Sequence, residues 1–449
     1  MNALRTVART AFAHRPLVSQ LRTAAPATSM MSRFFHATQA PKAEAPPLSQ
    51  KTIDIVKSCA PVLEVHGYDI AANMYKRMFA NHPEVAELFN PSHQVPNKDG
   101  KAMQPWGLSC AVHAYALYID DLGMLAEAVE RIAQKHVSLD VLPEHYGIVG
   151  ENLLWSIKDT LGDAATPEIM AAWEEAYGFL AWVFIQREET LMAEKANQPG
   201  GWRHWRNFVV DLKKRESGNI MSLILKPEDG GPVVKYEPGQ YIGIRIENGD
   251  HATQRNYSLS SAPRDDYYRL SIKREEAHGL CPAGYASNWV HDKLQEGDIV
   301  KLSVPSGDFF LKEGSDKPIV LLSGGVGITP IVAMLDHLVE NKFNNHVTMF
   351  SAVRNAGVEA WHKHIEEIGS REMNVRVHFL YDEPPNDSYP KGPITIDHLK
   401  RALTSKDQEF YFCGPQPFMK QIYNGLTEWG VPEKQIHFEF FGPTQAMQA

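Results

Sequence analysis

From Ile53 to Lys195 apolar side chains recur at three- and four-residue spacing with few β-branched alternations, which predicts an all-α domain over residues 49–196. Ser49, Pro143 and Pro167 stand where helices should begin. Gln198-Pro199-Gly200-Gly201 breaks the periodicity. Short strand-like runs then follow between turn signals: MSLILKP, GQYIGIRI, NYSLSS, YRLSIKRE and DIVKLSVP. They predict an antiparallel β-barrel or sandwich over residues 203–313. After Pro318 the pattern alternates strand and helix (PIVLLSGG, TPIVAMLDHLVE, HVTMFSAVR, HKHIEEIG, VRVHFLY, EFYFCGP, PFMKQIYNGLTEWG). That alternation predicts a doubly wound parallel sheet over residues 317–449. No internal repeat is evident.

Composition adds limits. Hydrophobic residues make up 43% and charged residues 22% of the chain, as in soluble multidomain proteins. No apolar stretch reaches the ~18 residues of a membrane helix; Tyr177 to Ile185 is about the longest. A net charge of −9 argues against nucleic acid as the main partner. Cys59, Cys110, Cys281 and Cys413 are far apart and form no CxxC, so neither a disulfide framework nor a zinc site is indicated. Residues 1–43 differ from the rest: they hold Arg5, Arg9, Arg15, Arg22, Arg33 and Lys42 and no Asp or Glu. With helix-compatible spacing of Leu4, Val7, Ala8, Ala11 and Phe12, this looks like a mitochondrial presequence. Arg33-Phe34-Phe35-His36-Ala37-Thr38 resembles a matrix-processing site; a basic tail without an address is the alternative.

Candidate chemistry begins in the C-terminal third. Strand PIVLLSGG runs into Gly324-Gly325-Val326-Gly327-Ile328-Thr329-Pro330 and a helix. Glycines let main chain approach a diphosphate, Thr329 and Pro330 are expected to cap and start the helix, and its first amides favour negative charge. A bare structural turn would also use glycine. Cys413-Gly414-Pro415 follows another buried strand, at the sheet end that receives ligands; an isolated Cys413 would be a small core residue. In Arg255-Asn256-Tyr257-Ser258-Leu259, alternation puts Arg255, Tyr257 and Leu259 on one face and Asn256 and Ser258 on the other. A guanidinium can grip a pyrophosphate, a tyrosine can stack on a flat heterocycle, and a hydroxyl can reach a ring nitrogen. Gly284 to Trp289, with Ser287, reads as a loop feeding a helix with free amides for phosphate. Arg354, ending HVTMFSAVR, fits either a ribose 2′-phosphate or a surface salt bridge.

RNYSL, PSGDF, GGVGITP, FCGP and Phe440-Phe441-Gly442-Pro443 stand in the order found in ferredoxin–NADP reductase-like flavoproteins. The resemblance implies FAD on the barrel and NAD(P)H on the doubly wound domain. Arg255, Asn256, Tyr257 and Ser258 would hold the flavin with Tyr241 beside it, and Gly284 and Ser287 would meet phosphate. Phe441, between Phe440 and Gly442-Pro443, would cover the ring, and Gly325 to Pro330 with Cys413 and Gly414 would hold the nicotinamide dinucleotide.

A reductase needs an electron acceptor, and the helical domain is the candidate. Met74-Tyr75-Lys76-Arg77-Met78-Phe79, Glu87-Leu88-Phe89-Asn90, Ala133-Gln134-Lys135-His136 and Tyr146-Gly147-Ile148-Val149-Gly150-Glu151 resemble a globin. With the reductase attached, residues 50–449 resemble the flavohaemoglobins, here fungal-type with a presequence. The resemblance implies haem b with His136 as iron ligand, Tyr146 and Glu188 behind its imidazole, and Tyr75 as distal donor. Phe89 would wedge against the haem, and Gln104 and Leu108 would complete the pocket. The stretch between Phe89 and Ala111 is longer than in bacterial members and Pro105 follows Gln104, so Gln104 either caps its helix or enters the pocket.

The activity so implied is nitric oxide dioxygenation: electrons pass from NAD(P)H through FAD to haem, and nitric oxide with O₂ becomes nitrate. O₂ and nitric oxide are then the partners, with no obligate protein partner and no membrane association. The alternatives are an NAD(P)H-dependent haem or peroxide reductase, and a gas sensor or oxygen store. The location expected from residues 1–43 is the mitochondrial matrix, with a cytoplasmic form from a second start at Met30 or Met31 as the alternative.

Overall fold

The computed structural model describes residues 44–248, 251–312 and 314–442. The presequence expectation and Pro443 lie outside the described residues. Among the described residues no helix is long and apolar enough to cross a membrane.

Helices α1 (Gln50–Ser58), α2 (Ala60–Asn81), α3 (Met103–Tyr118), α4 (Ala126–Ser138), α5 (Pro143–Leu161) and α6 (Pro167–Ala196) form the first part. Their starts follow from local chemistry. Ser49 Oγ accepts from the Thr52 amide, Thr166 accepts from Ile169, and Pro143 and Pro167 occupy first helical positions, where a missing N–H costs nothing. Leu63, Ile70, Met74, Met78, Val112, Tyr115, Leu153, Ile157 and Trp173 build its core. The segment before α3 is a small built turn. Pro96 bridges Ala102, Asn97 Oδ1 accepts from the Asp99 amide at 2.8 Å and the Lys101 amide at 3.2 Å, and Gly100 takes φ +76°.

Strands β1 (Arg206–Arg215), β2 (Ile220–Pro227), β3 (Tyr241–Asn248), β4 (His251–Ser258), β5 (Tyr268–Lys273) and β6 (Ile299–Leu302) form an antiparallel sheet, order β4-β3-β6-β1-β2-β5. A Leu259–Leu270 bridge joins its edges and closes the barrel. Helix α7 (Tyr285–Asp292) packs Ala286 and Val290 into the barrel core. The sequence pattern did not distinguish β1, because only Phe208 and Val210 of its ten residues are buried.

The last part is a parallel sheet, β11-β10-β7-β8-β9, comprising β7 (Ile319–Gly324), β8 (Val347–Val353), β9 (Val375–Tyr381), β10 (Glu409–Cys413) and β11 (Ile436–Glu439). Helices α8 (Ile328–Glu340), α9 (His362–Arg371), α10 (Ile396–Ala402) and α11 (Gln416–Trp429) connect the strands. One core holds Leu321, Ile331, Met334, Leu335 and Met349; the other holds Val320, Leu322, Phe410, Phe412 and Ile422. Continuous apolar strands between two cores are what a parallel sheet with helices on both sides requires.

Candidate functional site: a globin pocket against a two-domain reductase

His136 lies in the last turn of α4. Its Nδ1 is 2.7 Å from Glu188 Oε1 and 2.9 Å from Tyr146 Oη, and the Tyr146 hydroxyl donates to the same carboxylate. Glu188 is buried on α6, and Phe184, one helical turn earlier, packs on both rings. Burial first, then the neighbouring Glu188 charge, pushes the Tyr146 phenol far above its ordinary value, so it stays protonated and donates to the carboxylate. With Nδ1 committed to the carboxylate, the other ring nitrogen is the one available for a ligand.

Tyr75 of α2 is buried and pushed up to about 12, chiefly by desolvation. Gln104 Nε2 donates to its Oη at 3.1 Å, leaving the phenolic proton free for another acceptor. Gln104 does not cap α3: Ala102 is the cap residue, Gln104 is second in the helix, and Pro105 falls third, within the first turn. Phe89 meets the Tyr75 ring edge-on at 5.4 Å, Phe79 lies 5.7 Å from it, and Leu108 packs on the globin core one turn after Gln104.

The barrel strand β4 carries Arg255, Asn256, Tyr257 and Ser258 beside α4 and the loop after α2. Arg255 Nη1 reaches the Phe89 carbonyl at 3.4 Å, and Ser138 Oγ donates to Asn256 Oδ1 at 3.1 Å. Tyr257 is buried enough to be pushed up to about 12. Ser258 Oγ is buried without a hydrogen-bond partner. Tyr241 on β3 is buried, with Lys135 Nζ 6.0 Å from its ring centre. Gly284 caps α7, but the Ser287 hydroxyl is used internally, donating to the Gly284 carbonyl at 3.2 Å and accepting from the Glu275 amide at 3.1 Å. Its hydroxyl is therefore structural; any phosphate contact there falls to main-chain amides.

In the parallel domain, Gly325, Val326 and Gly327 form a 3₁₀ turn running straight into α8. The helix therefore starts at Ile328, a residue before the expected cap. Thr329 is inside it, donating to the Val326 carbonyl at 3.0 Å, and Pro330 is third. A Cβ on Gly327 would lie 2.0 Å from the Cys413 carbonyl oxygen and 2.7 Å from the Gly414 amide, so glycine is required where the two loops meet. The Cys413 thiol is fully buried and raised well above its ordinary value by that burial. Arg354 is exposed at the end of β8. Phe440 is buried, whereas Phe441 is 43% exposed, and Lys135 Nζ donates to the Gly442 carbonyl at 3.4 Å.

Sequence reasoning missed Glu439 and Phe184. Glu439, in the four-residue β11, has its carboxyl pushed up to about 8 by burial against the opposing pull of Lys135, and Oε2 is buried without a partner. Nothing in its local sequence marks it. Phe184 was legible, four residues before Glu188 on one helical face.

The donor chemistry fits the groups this fold implies. No cluster of three or more His, Cys, Asp or Glu able to hold a bare ion occurs among the described residues. A single imidazole backed by a carboxylate, facing aromatic side chains, suits iron that brings its own equatorial ligands. The orphaned Ser258 hydroxyl suits the polar edge of a flavin, and the Gly327 cradle suits a diphosphate.

A globin continued into its own FAD- and NAD-binding oxidoreductase is the class this fold and site define. Family models agree: Globin matches residues 72–183, Oxidoreductase FAD-binding domain 207–311, and Oxidoreductase NAD-binding domain 321–424. The chain belongs to the flavohemoprotein family. It is 45% identical over 404 residues to the flavohemoprotein of Halalkalibacterium halodurans, covering 88% of this chain and 97% of that one. It is 42% identical over 409 residues to that of Bacillus anthracis, covering 89% and 100%. The crystal structure of flavohemoglobin from Malassezia yamatoensis with bound FAD and heme shares the fold, with TM-score 0.74 and 24% identity over 88% of this chain and 100% of that one.

Proposed function

We propose that this chain is an NAD(P)H-dependent nitric oxide dioxygenase that removes nitric oxide as nitrate. The observation that carries the reading is the Glu188–His136 contact at 2.7 Å in a globin that packs directly on a flavin-type barrel. When bound, the nicotinamide, flavin and haem supply hydride transfer, its division into single electrons, and oxygen chemistry at iron.

The residues divide the remaining work. Glu188 and Tyr146 would fix the His136 tautomer and raise its basicity, which favours oxygen activation over storage. Tyr75, its acceptor side occupied by Gln104, would offer its proton to a polar diatomic ligand. Phe79, Phe89 and Leu108 would keep water out. Arg255, Tyr257 and Ser258 would hold the flavin, and the glycine turn with Cys413 and Gly414 the nicotinamide diphosphate. Joining donor and acceptor in one chain raises their effective concentration. An oxygen store would gain nothing from that.

The test is nitrate yield against NADH consumed, with both gases present. Because a hydride carries two electrons and each nitric oxide needs one, about two nitrates per NADH are expected. Peroxide-dependent NADH loss without nitrate would overturn the reading.

One further prediction concerns the distal side. Tyr75→Phe should speed oxygen dissociation about ten- to hundredfold, since one charge-assisted hydrogen bond is worth about 1.5–3 kcal/mol. Carbon monoxide displacement in a stopped-flow instrument measures it, and an unchanged rate would transfer the role to Gln104.

The acid-free, arginine-bearing residues 1–43 support a mitochondrial matrix address, and with it the fungal type of this family. Deleting residues 1–42 should leave catalysis intact and strand the protein in the cytosol, as read by fractionation. Continued import of the truncated chain would sink the address.

A further inference from the structure

Helix α8, which opens at the glycine turn, is gripped at its far end by the barrel. Arg264, in the loop between β4 and β5, places its two Nη atoms 2.6 and 2.5 Å from the Glu340 carboxylate oxygens. One helical turn back, Asp336 meets Arg269 of β5 at 3.6 Å and His364 Nε2 at 2.6 Å. Asp336 and Glu340 are four apart and so share a helix face. Arg269 is itself fixed: Nη2 donates to the Ser260 carbonyl, and the guanidinium lies 5.4 Å from the ring centre of Trp361.

Trp361 is buried in left-handed backbone, φ +58° and ψ +19°. A bulky residue holds that conformation only where its surroundings dictate it. Four residues earlier, the Gly357 carbonyl accepts from the Gly218 amide of the β1–β2 turn at 2.8 Å, and a Cβ on Gly218 would come within 2.6 Å of that oxygen. Between these polar contacts runs an apolar seam, where Ile220, Phe309 and Leu311 join the core containing Ile328, Ile331, Met334 and Leu335. Apolar contact is non-directional and tolerates sliding. Bidentate and stacked guanidinium contacts fix an angle.

We propose that Arg264 and Arg269, acting on Glu340, Asp336 and Trp361, are positioning residues that fix the axis of α8 against the flavin barrel and thereby set the hydride donor–acceptor spacing. None of them is assigned to a cofactor above. The proposal rests on the reading of the chain as an NAD(P)H-driven flavoprotein. His364, whose imidazolium Asp336 holds above its ordinary value, reinforces the same carboxylate from α9.

The test uses holoenzyme carrying Arg264→Ala, Arg269→Ala, or the exchange Arg264→Glu with Glu340→Arg. Flavin bleaching by NADH is followed in a stopped-flow instrument with protiated and 4-deuterated NADH, and amide exchange is measured over residues 328–340 and 357–371. The limiting bleaching rate should fall about tenfold or more in Arg269→Ala and several-fold in Arg264→Ala, as a misplacement of about 1 Å would produce. The NADH concentration for half-saturation should change less than about twofold. The deuterium isotope effect should become temperature-dependent, exchange across Trp361 to Ile365 should quicken, and the charge exchange should recover most of the rate.

Unchanged limiting rate and isotope effect in both single variants would overturn the lock. So would a loss confined to NADH affinity, or no recovery in the exchanged pair. The Arg264–Glu340 pair is 35% and 43% exposed, so Arg264→Ala decides the matter if Arg269→Ala does not fold. Absence of bleaching in the unaltered protein would remove the redox reading itself, a different result from bleaching that proceeds unaltered in the variants.

Discussion

His136→Ala should yield a protein that carries flavin, reduces a small dye with NADH, and binds no haem. The imidazole is held by both Glu188 and Tyr146, at 2.7 and 2.9 Å through Nδ1, and oriented by Phe184. Alanine removes the ligand and also leaves a buried carboxylate with Tyr146 as its remaining partner, a loss of about 1–3 kcal/mol. That cost falls on the cluster of Ala133, Val137, Phe184, Leu191 and Met192, which meets the barrel at Val304 and Trp202, while the barrel's own buried core is a separate cluster. Haem content by absorbance and dye reduction by NADH measure the two halves independently. Full haem retention would sink the assignment of His136 as ligand, and loss of dye reduction would show that the reductase depends on the bound globin group.

Gly243→Ala should disconnect the halves without disabling either. A Cβ there would lie 1.9 Å from the Ser138 carbonyl oxygen and 2.8 Å from Ser303 Oγ. The first obstacle is main chain, with no rotamer to yield, so α4 must back away from β3 by more than about 1 Å. Overpacking of this kind costs about 1–3 kcal/mol. The movement would strain Ser138–Asn256, the Gln134 acceptor of the Gly307 amide, and the Glu87–Arg245 pair. Haem and flavin should both remain bound and dye reduction should hold. NADH-driven haem reduction should slow several-fold to about tenfold, the cost of an ångström-scale misplacement. Haem reduction at the unaltered rate would show that electrons do not cross where α4 meets β3.

The succession of helical, barrel and doubly wound parts was legible because the apolar period changes from about 3.6 to 2 and then alternates. Ser49, Pro143 and Pro167 mark helix starts by chemistry that acts over three residues, a range that sequence shows directly. Pairings across longer stretches were not legible from spacing. Glu188 meets His136 because α6 crosses α4, and Gln104 meets Tyr75 because α3 crosses α2; family likeness brought those residues to notice. The doubt over Gln104 arose from Pro105, and it dissolves because the turn closed by Asn97 delivers the chain to Ala102 already set to begin a helix. The start of α8 was misplaced by two residues because a 3₁₀ turn of glycines carries no helix signal yet leads directly into one. Glu439 stayed hidden because the groups it interacts with electrostatically, Lys135, Asp308 and Tyr241, come from distant parts of the chain.

The burial of Cys413 bears on self-protection. Nitric oxide and its oxidation products modify sulfur chiefly as thiolate, and reactive cysteines are those with lowered pKa and solvent access. Cys413 has neither: its surface is closed and its proton is held by desolvation. A residue at the meeting of two nucleotide-binding loops, where an added group would spread Gly327 from Gly414, is thus shielded from the very molecules the protein removes. Nitrosative damage would accumulate first on Cys59 and Cys281, which are partly open to solvent, rather than on Cys110, whose thiol burial also pushes up, and the reductase would go on working while they were consumed.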